Sequence, residues 1–564
     1  MKVLIVGGVA GGASAAARLR RLDEQAEIIL LEKGEFISYA NCGLPYYIGD
    51  VITDRDDLLV QTVAGLSERF NLEVRVFSEV LKIDCPAKTV TVHDHVNNRE
   101  YTESYDKLIL SPGAEPKRPP LPGIDLPGIY KLRTISDTDK IHAAVTKQNA
   151  KSAVIIGGGF IGVELAENLR ERGLEVTIVE FTDQLIASLD PEMAVFLHVK
   201  AREHDLKLLF NAGAASFSSL PDNRLEVHLT NNESLTADMV VLSIGVAPDS
   251  RLARDAGLEL GLGGSIKVDE YLFTSDPDIL AVGDAIEVTN LVNDQPALIP
   301  LAGPANKQGR IAAANALGAK IPFTGVQGTS VLKLFDLTAA STGLNEKALK
   351  RSNMPYEKVY IHPLNHAGYY PGGSQMAMKL LFDPQKGIIF GAQAVGTDGV
   401  DKRIDVIATA QRLGGTVFDL EELELAYAPP FSSAKDPVNM LGFTAANVIK
   451  GDVKQFHYHD VDGLDLTKIT LLDVRSPYEY ALGTIREALN INIDDLRERL
   501  AEIPKGKPVY IFCQVGVRGY LAARILTQNG FSDVYNLSGG YRLYQMQLHE
   551  RLEDSPCDCV GNER

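Results

Sequence analysis

The stretch "SAVIIGGGFIGVELAENLRERGLEVTIVE", residues 152–180, contains the arrangement that decides the fold. A short apolar strand leads into three glycines at the spacing G-x-G-x-x-G, which are Gly157, Gly159 and Gly162, and a helix-forming segment follows. Backbone amides at the beginning of such a helix can hold a pyrophosphate, and glycine lets the phosphates approach closely. Glu180 closes the next strand, where a carboxylate accepts hydrogen bonds from ribose and repels a 2′-phosphate. We therefore predict a site for NADH, with NADPH as the alternative.

A second glycine-rich loop stands at the beginning of the chain. The apolar strand from Val3 to Val6 is followed by a cluster of four glycines and an alanine-rich helix that extends to Arg21. The strand "EIILLE" then ends at Glu32, twenty residues after Gly12. Val9 replaces the middle glycine, so this copy of the motif is imperfect. Two strand, loop and helix units predict an α/β protein with two dinucleotide-binding, Rossmann-like domains.

Composition limits the function classes. The 564 residues are enough for roughly three or four domains, and no apolar run reaches the roughly 20 residues that span a bilayer. The net charge of -18 argues against a nucleic-acid or anionic-membrane surface. Five irregularly spaced cysteines are typical of reduced thiols in a cytosol. The N-terminal 21 residues mimic a secretory signal, but their glycines fall at dinucleotide-loop positions. We expect a soluble cytoplasmic protein.

Two further strand and turn segments complete a family pattern. They are "LILSPGAEPKRPPLPG", residues 108–123, and "DILAVGDAIEV", residues 278–288. With them, residues 1–447 resemble the flavin disulfide reductases that carry two dinucleotides. The resemblance implies an FAD-binding domain (1–117 and 250–325), an NAD(P)H-binding domain (118–249) and an α/β dimerisation domain (326–447) of a homodimer. The residues that it implies at FAD are Gly7, Gly8, Val9, Ala10, Gly11, Gly12, Glu32, Lys33, Gly283 and Asp284.

Cys42 lies in "FISYANCGLPYYIGD", residues 36–50. Most of that wider family has the pair Cys-x-x-x-x-Cys, but Tyr47 stands at the second position here, and Cys85 lies far along the chain. A single cysteine is oxidised to a sulfenate or to a mixed disulfide with a small thiol. The chain therefore resembles the single-cysteine branch, which holds NADH oxidases, NADH peroxidases and coenzyme A disulfide reductases. Asn41 before the cysteine resembles the last of these, and the three remain open.

The resemblance also implies residues that handle coenzyme A. In "ELAYAPPFSSAKDPVNM", residues 424–440, it places Tyr427 at the active site of the other subunit and Lys435 at coenzyme A. "HAGYYPGG", residues 366–373, offers Tyr369 or Tyr370 as a second phenol, which can donate a proton to a leaving thiolate. The alternative is that these tyrosines only pack in a dimer interface. The coenzyme A pocket that the family implies is lined by Ser14, Arg18, Arg21, Ser38 and Asn41. Simple solvation is the alternative for the arginines.

The C-terminal part of the sequence, from residue 448 onward, predicts a second catalytic domain. Residues 448–462 are predicted to be a linker with His457 and His459 on its surface, and no metal site is expected. Residues 463–552 resemble a rhodanese domain, through the segments 469–492 and 507–531. The strand "PVYIF" delivers Cys513 into a loop that ends at Arg518 and leads into a helix, so loop amides can stabilise a thiolate or a persulfide. Arg518 would bind the anionic donor or steady the loop.

Three other residues belong to this pattern, and one departs from it. Asp473, Arg475 and Glu479 resemble the family signature that ties the cysteine loop down. Thr484 stands where the family commonly has histidine, and an inert rhodanese fold is the alternative. The tail, residues 553–564, holds Cys557 and Cys559, for which we expect no function.

The whole chain is similar to fusions of a coenzyme A disulfide reductase with a rhodanese domain. The resemblance implies NADH-dependent reduction of coenzyme A persulfide or polysulfide at Cys42, with sulfane sulfur supplied by Cys513. Alternatives are coenzyme A disulfide reduction for thiol homeostasis, an NADH oxidase or peroxidase, and a flavin-bearing redox sensor.

Overall fold

A computed structural model describes residues 1–553 as two units. The first comprises Met1–Leu185 with His204–Gly328, and the second comprises Ile186–Glu203 with the described chain from Thr329 onward. Both mix helices with strands, so the predicted α/β class is confirmed. In the described part of the chain, no helix is both long and apolar enough to cross a membrane.

The first part of the first unit contains one sheet and a meander. Its elements are β1 (Lys2–Val6), α1 (Ala10–Leu22), β2 (Glu27–Leu31), α2 (Leu44–Ile48), α3 (Val63–Phe70), β3 (Glu73–Arg75), β4 (Ser78–Asp84), β5 (Thr89–Asp94), β6 (Arg99–Ser104), β7 (Lys107–Leu110) and β8 (Ala114–Pro116). Strand β1 lies between β2 and β7, and all three run parallel. Because its side chains are buried on both faces, β1 is a continuous apolar run. Strands β4, β5 and β6 form an antiparallel meander.

The next segment builds the second parallel sheet. Its elements are β9 (Ile129–Lys131), α4 (Ile135–Thr146), β10 (Ser152–Ile156), α5 (Phe160–Glu171), β11 (Glu175–Val179), α6 (Pro191–Glu203), β12 (Lys207–Leu209), β13 (Ala214–Ser219), β14 (Leu225–Leu229), β15 (Ser234–Ala237), β16 (Met239–Leu242), β17 (Val246–Pro248) and α7 (Arg251–Asp255). The order is β12-β11-β10-β16-β9, and β13, β14 and β15 form a small antiparallel sheet. Helix α6 belongs to the second unit.

The first sheet is completed by a distant segment. Its elements are β18 (Ile279–Ala281), β19 (Val288–Thr289), β20 (Pro296–Ala297) and α8 (Ala302–Ala316). Strand β18 pairs with β7, which gives the order β18-β7-β1-β2-β3. The glycine loop after β1 and the turn after β18 therefore lie at the same edge of this sheet, the carboxyl ends of parallel strands.

The second unit begins with an antiparallel sheet. Its elements are β21 (Ser330–Leu334), β22 (Leu337–Gly343), α9 (Glu346–Arg351), β23 (Glu357–Ile361), β24 (Ala377–Phe382), β25 (Ile389–Gly396), α10 (Val400–Arg412), α11 (Val417–Glu422) and α12 (Pro437–Ile449). The order is β21-β22-β25-β24-β23. Buried apolar residues of β24 and β25 share one core with those of α10 and α12.

The unit ends with a five-stranded parallel sheet. Its elements are β26 (Lys454–Phe456), β27 (Thr470–Asp473), α13 (Pro477–Ala481), β28 (Leu489–Asn490), β29 (Val509–Phe512), α14 (Val517–Gln528), β30 (Val534–Leu537) and α15 (Gly540–Glu553). The order is β26-β30-β29-β27-β28. Strand β29 is central, so the loop that follows it leaves the middle of the sheet.

The segment 448–462 differs from the predicted linker. Strand β26 pairs with β30 at the edge of the C-terminal sheet, and residues Tyr458–Gly463 form a 3-10 turn. The His457 ring meets Tyr360 edge-on at 6.0 Å and stacks on His459 at 5.6 Å. Burial, together with the nearby positive charge of Lys358, lowers the pKa of His457 to about 3. His457 is therefore a packed residue, and the expectation of linker surface was wrong for it.

Candidate active sites

The two glycine loops share one backbone design. Gly7 and Gly157 have φ values of +95° and +114°, and a Cβ on either would lie within 2.2 Å of a carbonyl oxygen of a neighbouring strand end. A Cβ on Gly12 or Gly162 would lie 1.8 Å or 2.0 Å from the carbonyl oxygen of that first glycine. Only glycine fits these four positions, because the turn is left-handed and the helix begins against it.

Each loop carries a carboxylate at the same place. Glu32 accepts a hydrogen bond from the Gly8 amide at 2.9 Å, and Glu180 accepts one from the Gly158 amide at 2.7 Å. Glu32 also accepts from the Gly34 amide, and Glu180 from the amide and hydroxyl of Thr182. A carboxylate has about four acceptor sites, so each still has at least one for a ribose hydroxyl. A Cβ on Gly159 would meet no atom within 4 Å, which leaves open space before the first turn of α5. The chemistry and the space at both loops fit a dinucleotide.

The residues expected at FAD surround the first loop. Val9 precedes α1 and Ala10 begins it, and a Cβ on Gly11 would come within 2.9 Å of two side-chain atoms. Beyond β18, the Gly283 amide donates to Gln308 at 2.7 Å, and Asp284 follows. Burial raises the pKa of Asp284. Close-packed glycines and a desolvated acid at one sheet edge fit FAD there.

Lys33 stands beside this group but is already engaged. Its ammonium lies 2.9 Å from Glu115. Its expected contact with FAD remains a prediction.

Cys42 is exposed at the surface of the first unit. It lies in the 3-10 turn Asn41–Gly43 that leads into α2. The Ser38 amide donates to the Gly8 carbonyl at 2.8 Å, which ties this segment to the first loop. The surrounding protein removes part of the water around the Cys42 thiol, and this desolvation raises its pKa. The negative charges of Glu164 and Asp284 raise it further.

Glu164 is a neighbour of Cys42 that the sequence reasoning missed. The Tyr46 hydroxyl donates to Glu164 at 3.4 Å. Burial raises the pKa of Glu164 to about 7, the largest effect on that carboxyl. The signal in the sequence was an acid within the apolar first turn after Gly162, in "FIGVELA".

The residues expected at coenzyme A lie in two places. Ser14 donates to Asn306 at 2.5 Å, and Arg21 lies 5.9 Å from the Phe70 ring. Among the described residues, the buried Nε of Arg18 has no hydrogen-bond partner, which leaves a donor for a ligand. Lys435 is exposed in the second unit. The coenzyme A pocket remains a prediction.

Two tyrosines of the second unit form a phenol pair. The hydroxyls of Tyr369 and Tyr427 lie 2.8 Å apart, and the rings are 76% and 46% exposed. The hydrogen bond from Tyr427 raises the pKa of Tyr369. Tyr370 instead meets His366 edge-on at 5.6 Å. Of the two candidates, Tyr369 is therefore the one beside Tyr427.

A buried arginine holds the two loops of this pair. Arg403 donates to the Asn365 carbonyl at 2.7 Å in one loop and to Ser432 at 3.2 Å in the other. Asp436 accepts from Arg403 at 3.1 Å and completes the network. The separation of the phenols is thus fixed from behind by buried, charge-assisted hydrogen bonds.

The Cys513 loop presents a backbone amide to the Cys513 sulfur. Cys513 is fully buried, and the Gly516 amide donates to its Sγ at 3.1 Å. The carbonyls of Cys513 and Gln514 accept hydrogen bonds from Tyr541 and Arg542 at the start of α15. This leaves the amide side of the loop for a thiolate or a persulfide.

Arg518 steadies this loop by pairing with Glu479. The two nitrogens of its guanidinium lie 2.8 and 2.6 Å from the two carboxylate oxygens. This pairing lowers the pKa of Glu479 to about 2. Of the two predicted roles, steadying the loop is the one that this geometry supports.

A second ion pair lies beneath the loop. Arg475 contacts Asp473 at 2.7 Å and also donates to Gln514 at 3.2 Å. The Thr484 hydroxyl donates to Asp473 at 2.9 Å, so the departure from the family histidine leaves this acid with a hydrogen bond. Cys557 and Cys559 lie outside the described residues.

Three family models match the chain. The model "Pyridine nucleotide-disulphide oxidoreductase" matches residues 1–309, and the dimerisation domain of the same family matches residues 329–437. The model "Rhodanese-like domain" matches residues 461–547.

Relatives span the reductase part or the whole chain. A coenzyme A disulfide reductase of Staphylococcus haemolyticus is 36% identical over 79% of this chain and 100% of its own. The solved structure of reduced Bacillus anthracis CoADR-RHD is 52% identical, covers 98% of both chains and has a TM-score of 0.95. A NAD-dependent persulfide reductase from A. fulgidus is 37% identical over 96% of this chain and 100% of its own, with a TM-score of 0.90. The chain therefore belongs to the flavin-dependent pyridine nucleotide-disulphide oxidoreductases, and its C-terminal part is a rhodanese-like domain.

Proposed function

We propose that this reductase uses NADH to reduce the sulfane sulfur of coenzyme A persulfide, or of polysulfide carried as that persulfide, to sulfide. One observation carries the proposal: the chain holds two thiols in different chemical environments. Cys42 is exposed beside the paired dinucleotide loops, and Cys513 is buried with a backbone amide on its sulfur. The relatives described as coenzyme A disulfide reductase and persulfide reductase support it.

Cys42 is the proposed nucleophile of the reductase. Its thiolate attacks the inner sulfur of coenzyme A persulfide, the sulfur–sulfur bond breaks and hydrosulfide leaves: Cys42–S⁻ + CoA–S–SH → Cys42–S–S–CoA + HS⁻. Because desolvation, and after it the neighbouring carboxylates, disfavour the thiolate, the rate of this step rises with pH until the thiol is ionised.

The mixed disulfide is then reopened: Cys42–S–S–CoA + 2e⁻ + H⁺ → Cys42–S⁻ + CoA–SH. FAD, held at the first glycine loop, would supply these two electrons from NADH. We propose that the Tyr369 and Tyr427 pair delivers the proton to the leaving coenzyme A thiolate in the assembled homodimer. The two hydroxyls share one hydrogen bond at 2.8 Å, and either of them can be its donor, so one proton of the pair is available to the thiolate.

Coenzyme A is a polyanion, and an acidic chain needs local donors for it. We propose that Ser14, Arg18, Arg21, Ser38 and Asn41 bind it, with Lys435 from the dimerisation domain. The free Nε of Arg18 supports this assignment, because a buried guanidinium nitrogen without a partner is costly unless a ligand satisfies it.

Cys513 is the proposed supplier. It takes sulfane sulfur from a donor and passes it to coenzyme A thiol, which then reacts at Cys42. A fusion of the two sites in one chain raises the local concentration of the intermediate.

Reduction of coenzyme A disulfide is the second candidate, because the coenzyme A disulfide reductase of Staphylococcus haemolyticus aligns over its full length with 79% of this chain. The same cysteine would react as Cys42–S⁻ + CoA–S–S–CoA → Cys42–S–S–CoA + CoA–S⁻. The later steps are identical, so only the substrate preference separates the two.

Anaerobic release of sulfide from coenzyme A persulfide, at saturating NADH, tests the proposal. We expect Cys42→Ser to abolish it and Cys85→Ser, at a half-buried cysteine after β4, to leave it unchanged. Full sulfide release by Cys42→Ser would show that the nucleophile is wrongly assigned.

A further inference from the structure

We propose that Cys513 takes its sulfur from singly charged organic persulfides, R–S–S⁻, in preference to a dianion such as thiosulfate. The proposal rests on the proposed function and names the donor class of its sulfur-supplying site. Two independent features of the site carry it: the charge around the sulfur and the apolar side chains at the mouth.

Two cations next to the Cys513 loop are paired with acids, and the guanidinium of a third, Arg542, is bonded to Gln375. Arg518 is paired through both nitrogens with Glu479, and Arg475 is paired with Asp473. The four residues between Cys513 and Arg518, "QVGV", carry no charge. These two cations therefore offer no surplus positive charge to a donor.

What remains for an anion is the amide side of the loop and the start of α14. A helix N-terminus is equivalent to roughly half a positive charge, which suits one negative charge on the transferred sulfur. A dianion would bring a second charge next to a cysteine that is itself negative when it attacks. That repulsion is not screened well at a buried sulfur.

The mouth of the loop is apolar. Tyr478 and Leu482 are four residues apart at α13 and are 73% and 72% exposed. Val517 and Leu521 are four residues apart on α14 and are 64% and 48% exposed. Residues four apart lie on one helix face, and the Glu479 to Arg518 ion pair joins the two helices next to them. We infer that these four side chains, on the two helices that the ion pair joins, form the mouth of the site, because exposed apolar side chains are typical of a binding surface.

The carbon chain of an organic donor would bury apolar surface against these side chains, whereas the oxygens of thiosulfate would make no favourable contact with them. Cys513 itself is fully buried, so the transferred sulfur must leave bulk water to reach it. The transfer balances as Cys513–S⁻ + R–S–S⁻ + H⁺ → Cys513–S–S⁻ + R–SH. The sulfur–sulfur bond of the donor breaks, one forms at Cys513, and the proton goes to the leaving thiol.

The test measures sulfur loading on Cys513 without NADH. The full chain carrying Cys42→Ser is mixed anaerobically with N-acetylcysteamine persulfide or with thiosulfate, and the Cys513 peptide that has gained one sulfur is quantified by mass spectrometry over time. Free cysteine with the same donors gives the intrinsic preference. We expect the protein to prefer the persulfide roughly tenfold more strongly than free cysteine does. A preference equal to or below that of free cysteine would overturn the proposal.

Two variants separate the charge from the apolar mouth. Glu479→Gln releases Arg518 and should raise the ratio of thiosulfate loading to persulfide loading several-fold, whatever happens to the two absolute rates. Leu482→Ser, at an exposed site where folding is not at risk, should lower persulfide loading several-fold and leave thiosulfate loading as it was. Leu413→Ser, at an apolar residue 81% exposed elsewhere, is the matched control.

If Leu482→Ser and Glu479→Gln both fold and both keep the wild-type ratio of persulfide loading to thiosulfate loading, the proposal is wrong. The proposed function is tested by a different result. NADH-dependent sulfide release by Cys42→Ser would refute the proposed function, and this result does not depend on how Cys513 is loaded with sulfur.

Discussion

Lys379 lies at the centre of a buried charge cluster in the second unit, and its replacement by methionine should strongly destabilise that unit. Its ammonium is fully buried, at 2.6 Å from Asp190, 2.5 Å from Glu192 and 2.5 Å from Glu346. These three carboxylates converge closely enough to hold a cation, and the cation that they hold is this side chain.

The size of the effect follows from this geometry. Methionine fills a similar volume, so the loss is mainly that of one cation among three buried carboxylates. Removing one partner from a buried ion pair costs about 3–5 kcal/mol, because the remaining charge is buried without compensation. For a unit of this size, 1 kcal/mol corresponds to roughly 2–4 °C in Tm, so Lys379→Met should lower Tm by roughly 6–20 °C.

The loss of stability in Lys379→Met should increase as the pH rises. Burial alone would raise the pKa of Glu346, but Lys379 and Lys358 hold it well below its ordinary value. Without Lys379, Glu346 keeps its ion pair with Lys358, but the burial of Asp190 and Glu192 is no longer offset, so the pKa of these two folded carboxyls rises above that of the unfolded chain. A group of this kind stabilises the folded state only while it is protonated, so stability falls as pH increases. The difference between variant and wild type should therefore be small near pH 5 and large at pH 8.

Differential scanning calorimetry of the holoprotein from pH 5 to pH 8 measures this. Lys350→Met is the matched control: its ammonium lies 3.7 Å from Glu346, but the side chain is 68% exposed. Such a pair contributes about 0–1 kcal/mol. Equal Tm shifts for the two variants, or a shift for Lys379→Met that does not change with pH, would refute the reasoning.

Three further predictions concern the reductase site. Glu164→Gln removes a negative charge near Cys42, so the pKa of the Cys42 thiol should fall. The alkylation of this thiol by iodoacetamide should then reach its half-maximal rate at a lower pH than in the wild type. The control is Glu171→Gln, at an exposed position of the same helix, and the same pH profile for both variants would contradict this prediction. Steady-state kinetics should show higher kcat/KM for NADH than for NADPH, and Glu180→Ala should reduce that ratio by roughly tenfold or more; a ratio already in favour of NADPH in the wild type would contradict the assignment. Gly162→Ala places a Cβ against the carbonyl oxygen of Gly157, so NADH binding measured by calorimetry should weaken by at least roughly a hundredfold. The bound flavin should remain. Unchanged NADH binding would show that this loop does not hold the dinucleotide.

Features that depend on local sequence were predictable. The glycine at position 157 is required by a left-handed turn, and an apolar strand before it with a helix after it can be read from a few neighbouring residues. The same holds for Cys513, which follows an apolar strand and begins a loop before a helix. Resemblance to a known family supplied the domain order, which local patterns do not contain.

Features that depend on distant contacts were not predictable. Glu164 meets Tyr46 across 118 positions, and nothing in either segment specifies the other. Strand β26 is three residues long with one apolar residue, Phe456, and it pairs with β30, which lies far along the chain. The role of Arg518 was left open because the position of Glu479, 39 residues earlier, decides it.

The measurement that tests the central claim most directly is anaerobic NADH consumption, as kcat/KM, with coenzyme A persulfide and with coenzyme A disulfide, on the wild type and on Cys513→Ser. We expect a strong preference for the persulfide, and a requirement for Cys513 only when the sulfur arrives on another donor. A preference for the disulfide that Cys513→Ser leaves unchanged would contradict persulfide reduction supplied by the rhodanese-like domain.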